Sequence, residues 1–147
     1  VTNLFLRSTI MRCFGVLPWN EGHKPVIVGA HIIQLVAKPG EPAISSPDLL
    51  HRDGEPNTWA FLLSRVNVHG GENIIAVPEV ANQHPRDVAD DKILSRCTLE
   101  KPFEGWVVDD RKVSHYVSPV SLTQGAGIGW RTILLIDFTP AVPDVEQ

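Results

Sequence analysis

The stretch LLHRDGEPNTWAFLLSRVNVHGGENIIAV, Leu49 to Val77, decides how the chain is read. Its later part contains two apolar runs rich in aromatic and β-branched residues, Trp59 to Val66 and Asn73 to Val77, separated by NVHGG. Such runs predict strands, and the paired glycines can take the positive φ values of a hairpin, so the two are expected to pair antiparallel. His51 and Asp53 stand two residues apart just ahead of the first run. Side chains alternate in direction along an extended chain, which puts His51 and Asp53 on one face and Arg52 on the other. An imidazole nitrogen and a carboxylate oxygen aimed at one spot are suitable ligands for a redox-active divalent metal. A chain with 6 histidines and 17 acidic residues will also contain a His-x-Asp by chance, so the pair needs support from elsewhere.

At 147 residues, 43% hydrophobic and 20% charged, the chain fits one globular domain spanning 1–147. A formal net charge of −4 offers no cationic field for nucleic acid or an anionic membrane, which leaves a small-molecule substrate as the expected partner. Cys13 and Cys97 are too few for a disulfide framework and fit a protein of the reducing cytoplasm. No apolar run reaches the length of a membrane span, and Arg7, Arg12 and Gly15 break up the opening segment. A start at Val1 fits an alternative start codon, a processed chain or a lost N-terminal portion.

Outward from the opening stretch, VIVGAHIIQLVA (Val26 to Ala37) predicts a buried strand closed by Lys38-Pro39-Gly40. The proline-rich KPGEPAISSPD cannot continue a sheet interior and delivers the chain to His51 as a loop. The segment to Phe14 mixes helix and strand signals, and the polar Ala81 to Lys101 predicts a loop and candidate lid with one helical turn after Pro85. Further strands are expected at Gly105 to Val108, Lys112 to Val120 and Trp130 to Phe138. Short strands punctuated by turns suggest an antiparallel sandwich or barrel.

Within the expected strand after DDR, His115 shares a face with Val113 and Val117, so its imidazole points into an apolar interior. Alone, it reads as a core histidine bonded to a carbonyl. His23, His69 and His84 lie in turn-like surroundings, and His31 reads as structural within its strand, with a place behind the site or in its pocket as the alternative. Arg131 opens the apolar run RTILLIDF, where a guanidinium is costly unless it meets an anion such as a carboxylate. The order now carries more than the parts. His-x-Asp is followed 62 residues after Asp53 by His115, and 16 residues later by Arg131. Two histidines and one carboxylate are the facial triad of non-haem Fe(II) oxygenases.

Three segments carry a family resemblance. LLHRDG with FLLSRVNVHGGEN, DDRKVSHYVSPV and GWRTILLIDF resemble the 2-oxoglutarate/Fe(II)-dependent dioxygenases of the L-isoleucine dioxygenase type, hydroxylases of free amino acids. The likeness covers roughly Val28 to Phe138, and the lead-in before Val26 is shorter than in family members. It implies a mainly β fold, a double-stranded β-helix (jelly-roll, cupin-like) barrel with minor helical segments. It also implies Fe(II) held by His51, Asp53 and His115, 2-oxoglutarate gripped at its distal carboxylate by Arg131, and dioxygen. The implied reaction hydroxylates an aliphatic C–H of a free L-amino acid or small derivative and releases succinate and CO2.

Asp53 at its position speaks against halogenation, which needs a small residue there to free a site for chloride. Gln34, Arg52 and Trp59 are candidates for the substrate pocket, while Glu72 and Arg111 read as hairpin and turn charges. Two rivals stand beside the hydroxylase. A cupin-type metalloenzyme without 2-oxoglutarate would want further histidines near the first pair, which HRDGEPN lacks. A non-catalytic binding module on the same fold would bind ligand without turnover.

Overall fold

The computed structural model describes residues 2–17, 25–123 and 127–141. His23 and part of the glycine-rich QGAGIG lie outside them.

The ambiguous opening folds as the helix α1, Leu4–Gly15, started by Asn3, whose side-chain oxygen accepts from the Leu6 N–H at 3.0 Å. Among the described residues nine strands follow: β1 (Val26–Ala37), β2 (Asn57–Val66), β3 (Val68–Gly70), β4 (Glu72–Ala76), β5 (Ile93–Thr98), β6 (Gly105–Val108), β7 (Ser114–Val117), β8 (Val120–Leu122) and β9 (Gly129–Pro140). They form a four-stranded sheet ordered β1-β9-β2-β6, a three-stranded sheet ordered β5-β4-β7, and a β3-β8 pair, with every pairing antiparallel. The fold is the mainly β jelly roll.

Four expectations need correction. Val26 to Ala37 is a strand but not a buried one, since β1 is the edge of its sheet, paired to β9 alone, and most of its side chains are exposed. The runs flanking NVHGG do not pair with each other, because β2 lies between β9 and β6 while β4 lies between β5 and β7. Gly70 and Gly71, at φ +79° and +70°, carry the chain from one sheet to the other instead of closing a hairpin. A side chain at Gly70 would collide with the Pro119 carbonyl, so this corner needs glycine twice over. The polar segment expected as a lid contains β5, an edge strand bonded to β4, whose mostly exposed side chains explain its polarity. The expected strand Lys112 to Val120 divides into β7 and β8 around Pro119, which has no N–H for a ladder.

The long strands β1, β9 and β2 explain where core and cavity fall. Leu134, Ile136 and Phe138 point from β9 to one side and pack with Trp59, Phe61 and the α1 side chains Cys13 and Phe14. Fully burying a side chain as large as Phe138 contributes about 1.5–3 kcal/mol. On the opposite side of β9 lie Arg131, Ile133, Leu135 and Asp137, facing a cavity also lined by Asn73 of β4 and His115 of β7.

Candidate active site

Backbone register brings the two histidines together. The proline-rich loop returns to the barrel at Leu50, fully buried, whose N–H and carbonyl bond Gln83 and Asn82. One residue on, His51 and His115 exchange both backbone hydrogen bonds, each 2.9 Å, and their rings lie 4.3 Å apart between centroids. Directly opposed residues of an antiparallel pair put their side chains on the same side. His51 Nδ1 sits 2.9 Å from the Leu49 carbonyl. With the proton on Nδ1, that contact leaves the Nε2 lone pair free toward the cavity.

Asp53 lies in an extended loop, four residues before β2 begins, and not on a strand. Its carboxylate bridges the imidazoles, with Oδ1 3.7 Å from His51 Nε2 and Oδ2 3.3 Å from His115 Nε2. One ligand atom from each of the three residues falls within 4.8 Å of the others. Contact with the His115 side chain lowers the Asp53 pKa, against the opposing effect of burial. Asp110, unforeseen in the sequence, stands behind this group and is 0% exposed. Its Oδ2 accepts from the Gly54 N–H at 2.7 Å, and its Oδ1 lies 3.0 Å from His115 Nε2. Burial would depress the His115 pKa, but the Asp110 and Asp53 carboxylates outweigh it and push it up to about 9. His115 Nε2 and Asp110 Oδ1 are nonetheless both buried without a well-aligned hydrogen bond. Two imidazole nitrogens, carboxylate oxygens and unsatisfied buried polar atoms fit a divalent cation of the iron type.

Arg131 occupies one end of the same cavity, 4% exposed, donating from Nη2 to Asn73 Oδ1 at 3.1 Å and leaving Nε without a partner. Arg65 is its register partner on β2, gives Nη2 to the Gly70 carbonyl at 2.7 Å, and buries Nη1 unpartnered. Among the described residues neither guanidinium has a carboxylate within ion-pair reach. Burial, then the Arg65 charge, lowers the Arg131 pKa to about 10. Gly71 makes room for both, since a Cβ there would stand 2.9 Å from Arg131 Cδ and 3.3 Å from Arg65 Nη1. One buried and one half-buried cation without a counter-charge suit an anionic ligand.

The cavity, about 430 Å³, takes in His51, Asp53, His115 and Arg131. It does not take in Gln34, Arg52 or Trp59. Gln34 points from β1 to the other side and bonds Thr132 Oγ1, Trp59 stacks on Phe61 on the α1 side, and Arg52 clamps the Asp110 and Arg111 carbonyls. In their place are Glu55, Thr58, His31 and Asp137. Burial raises the Glu55 pKa, as do the charges of Asp53, Asp137 and Asp110. Glu55 continues the alternation 51, 53, 55, and Asp137 keeps phase with Arg131 on β9; those were the sequence signals for them. Glu72 pairs with Arg96 at the surface, and Arg111 with Asp109 in the turn. His84 accepts from the Arg86 N–H and lies against Tyr116, and His69 is exposed on β3.

A family model described as 2OG-Fe dioxygenase matches residues 1–137. The 3(1)-hydroxy-L-isoleucine 4-dioxygenase of Pantoea ananatis (strain AJ13355) is 35% identical over 112 residues, covering 76% of this chain and 40% of that protein. The L-isoleucine-4-hydroxylase of Bacillus thuringiensis is 33% identical over 117 residues, covering 79% of this chain and 43% of that protein. The chain thus spans about two fifths of the length of these relatives. The crystal structure of IDO from Bacillus thuringiensis superposes with a TM-score of 0.77 at 26% identity, over 95% of this chain and 62% of that one. The dioxygenase TqaL shares the fold at a TM-score of 0.75 and 15% identity, over 95% of this chain and 53% of its own.

Proposed function

The chain belongs to the 2OG-Fe dioxygenase family, and from that premise we propose that it is a 2-oxoglutarate- and Fe(II)-dependent dioxygenase hydroxylating an aliphatic C–H of a free L-amino acid or small derivative. The observation that carries the reading is one cavity lined by three convergent metal-ligand side chains and by the buried, uncompensated guanidinium of Arg131. L-Isoleucine is the first substrate to try, because both relatives are named for isoleucine or its hydroxy derivative.

His51 and His115 would hold Fe(II) through Nε2 and Asp53 through a carboxylate oxygen. Bound Fe(II) would supply the redox chemistry by which decarboxylation of 2-oxoglutarate to succinate and CO2 is coupled to transfer of one oxygen atom of O2 to the substrate. Arg131 receives the distal carboxylate of 2-oxoglutarate, and the Asn73 amide oxygen fixes the angle of its guanidinium. Arg65 adds a second positive charge behind it, which favours a dianionic co-substrate over a neutral one. Ile33, Leu35, Ile133 and Leu135 form apolar walls that exclude water and aim an aliphatic side chain. A cupin-type enzyme without 2-oxoglutarate leaves the two guanidiniums unexplained.

The unit works as a single domain on a small molecule, with the cytoplasm as the proposed compartment; no helix among the described residues is long and apolar enough to cross a membrane. The test is conversion of 2-oxoglutarate to succinate with and without Fe(II), run with a panel of free L-amino acids scored by mass spectrometry for gain of one oxygen. Iron-dependent succinate coupled to a hydroxylated amino acid is expected. Folded protein giving no iron-dependent succinate sinks the dioxygenase reading, and succinate with no amino acid hydroxylated sinks the substrate class.

A further inference from the structure

Away from Arg131, the cavity ends in a group of oxygens. Thr58, Asp137 and Gly29 are register partners on β2, β9 and β1, so they lie in one row across three strands. Thr58 is 4% exposed, and its Oγ1 lines the cavity without a hydrogen-bond partner. Glu55 Oε2 lines the same cavity and is likewise buried and unpartnered. Asp137 is partly engaged: Oδ1 accepts from the Gly29 N–H at 3.2 Å and Oδ2 lies 3.4 Å from His31 Nε2. A buried carboxylate oxygen with no donor, beside a buried hydroxyl with no partner, is costly unless a ligand satisfies both. The ligand must therefore donate several hydrogen bonds and carry positive charge, which describes an alkylammonium group.

We propose that Glu55, Thr58 and Asp137 form the receptor for the ammonium group of the amino-acid substrate, with Glu55 as its main counter-charge. The assignment rests on reading this cavity as an amino-acid hydroxylase site. It gives the cavity two poles: the cationic row at Arg131 takes the carboxylate of 2-oxoglutarate, and the acidic row takes the amine. The apolar side chains of Ile133 and Leu135 lie between the two rows on β9, where the aliphatic part of the substrate would run.

The experiment is anaerobic calorimetric titration of protein loaded with Fe(II) and 2-oxoglutarate, using L-isoleucine and its analogue 2-hydroxy-3-methylpentanoate, in which hydroxyl replaces ammonium. Wild-type protein should prefer L-isoleucine. E55Q should weaken L-isoleucine about 10- to 100-fold, the range for a hydrogen bond to a charged group, while changing the hydroxy acid less than about twofold. T58V should weaken L-isoleucine about 3- to 10-fold, as for a neutral hydrogen bond, and stands as the test if E55Q does not fold. Folded variants that keep the wild-type preference for the amine overturn the assignment while leaving the amino-acid reading in place. Wild-type protein that binds neither compound overturns the amino-acid reading itself, and the ammonium receptor with it.

Discussion

Two rows of side chains cross the same three strands six residues apart along β9, and they carry opposite charge. The first runs Leu35, Arg131, Arg65, and the second runs Gly29, Asp137, Thr58. At about 3.3 Å per residue, the rows are roughly 20 Å apart. Strand, face and sheet are common to both, so the contrast comes only from which residue types occupy them. Arg131 is buried and lacks an anion, whereas Asp137 keeps contacts to Gly29 and His31 while its neighbours Glu55 and Thr58 have unpaired oxygens. The difference teaches that one face of β9 presents a cation at one end and carboxylates at the other, the contrast on which the proposed two-pole reading rests.

The largest expected effect removes the centre shared by both poles. Replacing His51, Asp53 or His115 with Ala should abolish iron-dependent succinate formation and the visible band that Fe(II) with 2-oxoglutarate gives anaerobically, while circular dichroism stays that of a folded barrel. Two remaining donors cannot hold the octahedral face that three define. A variant with undiminished band and turnover excludes that residue as a ligand.

The next effect breaks the comparison at its cationic end. Arg131→Ala should raise the 2-oxoglutarate requirement roughly 30- to several thousand-fold, from the 2–5 kcal/mol that truncating one partner of a buried charged contact costs. L-Isoleucine affinity, measured with saturating 2-oxoglutarate, should change little. Equal losses for both ligands would mean that the two ends are not separate poles.

These tests also mark what could be read from the chain. His51, Asp53, His115 and Arg131 stood out because ligand chemistry and alternation on extended segments need no knowledge of pairing. The substrate end did not, because β9 is apolar on both sides: Ile133 and Leu135 face the cavity while Leu134 and Ile136 face α1. Alternation tells which residues share a face but not which face is inside, and Gln34 and Trp59 were on the wrong one. The local turn signal in NVHGG misled for a related reason, since the jelly roll sends β2 and β4 into different sheets. Asp110 reaches His115 from a turn held by the local Asp109–Arg111 pair and by the clamp of Arg52, 58 residues earlier in the chain, a contact that alternation does not reveal.

A smaller effect concerns that turn. The Arg111 side chain holds the Asp109 carboxyl down to about 2 from an ordinary 3.8, with burial opposing and Lys112 assisting. A depressed acid stabilises the fold above its unfolded pKa, so the contribution is full above about pH 4 and is lost as pH falls through about 2. Both cations are exposed, so the effect is discounted for solvent to about 1 kcal/mol. Asp109→Asn should lower the urea midpoint at pH 6, and the gap from wild type should close toward pH 2. A gap independent of pH would assign the turn to backbone geometry and not to charge.

The smallest effect sharpens the acidic end. A Cβ at Gly29 would collide with both carboxylate oxygens of Asp137, so Gly29→Ala must push that carboxylate aside. The obstruction is the tip of a side chain that can rotate, and Ala in a strand recovers roughly 0.5–1 kcal/mol of backbone entropy relative to Gly. Stability should therefore change by less than about 1 kcal/mol, while L-isoleucine affinity falls about threefold, equivalent to about 0.65 kcal/mol, because one of several acceptors is misplaced. The matching change in the other row is Gly71→Ala, which crowds Arg131 Cδ at 2.9 Å and occupies φ +70°. It should raise the 2-oxoglutarate requirement and lower stability together. The two substitutions are chemically identical, each inserting one methyl group beside one pole. If Gly29→Ala altered 2-oxoglutarate affinity as much as L-isoleucine affinity, the cavity would respond as one pocket, and the division into a carboxylate end and an amine end would fall.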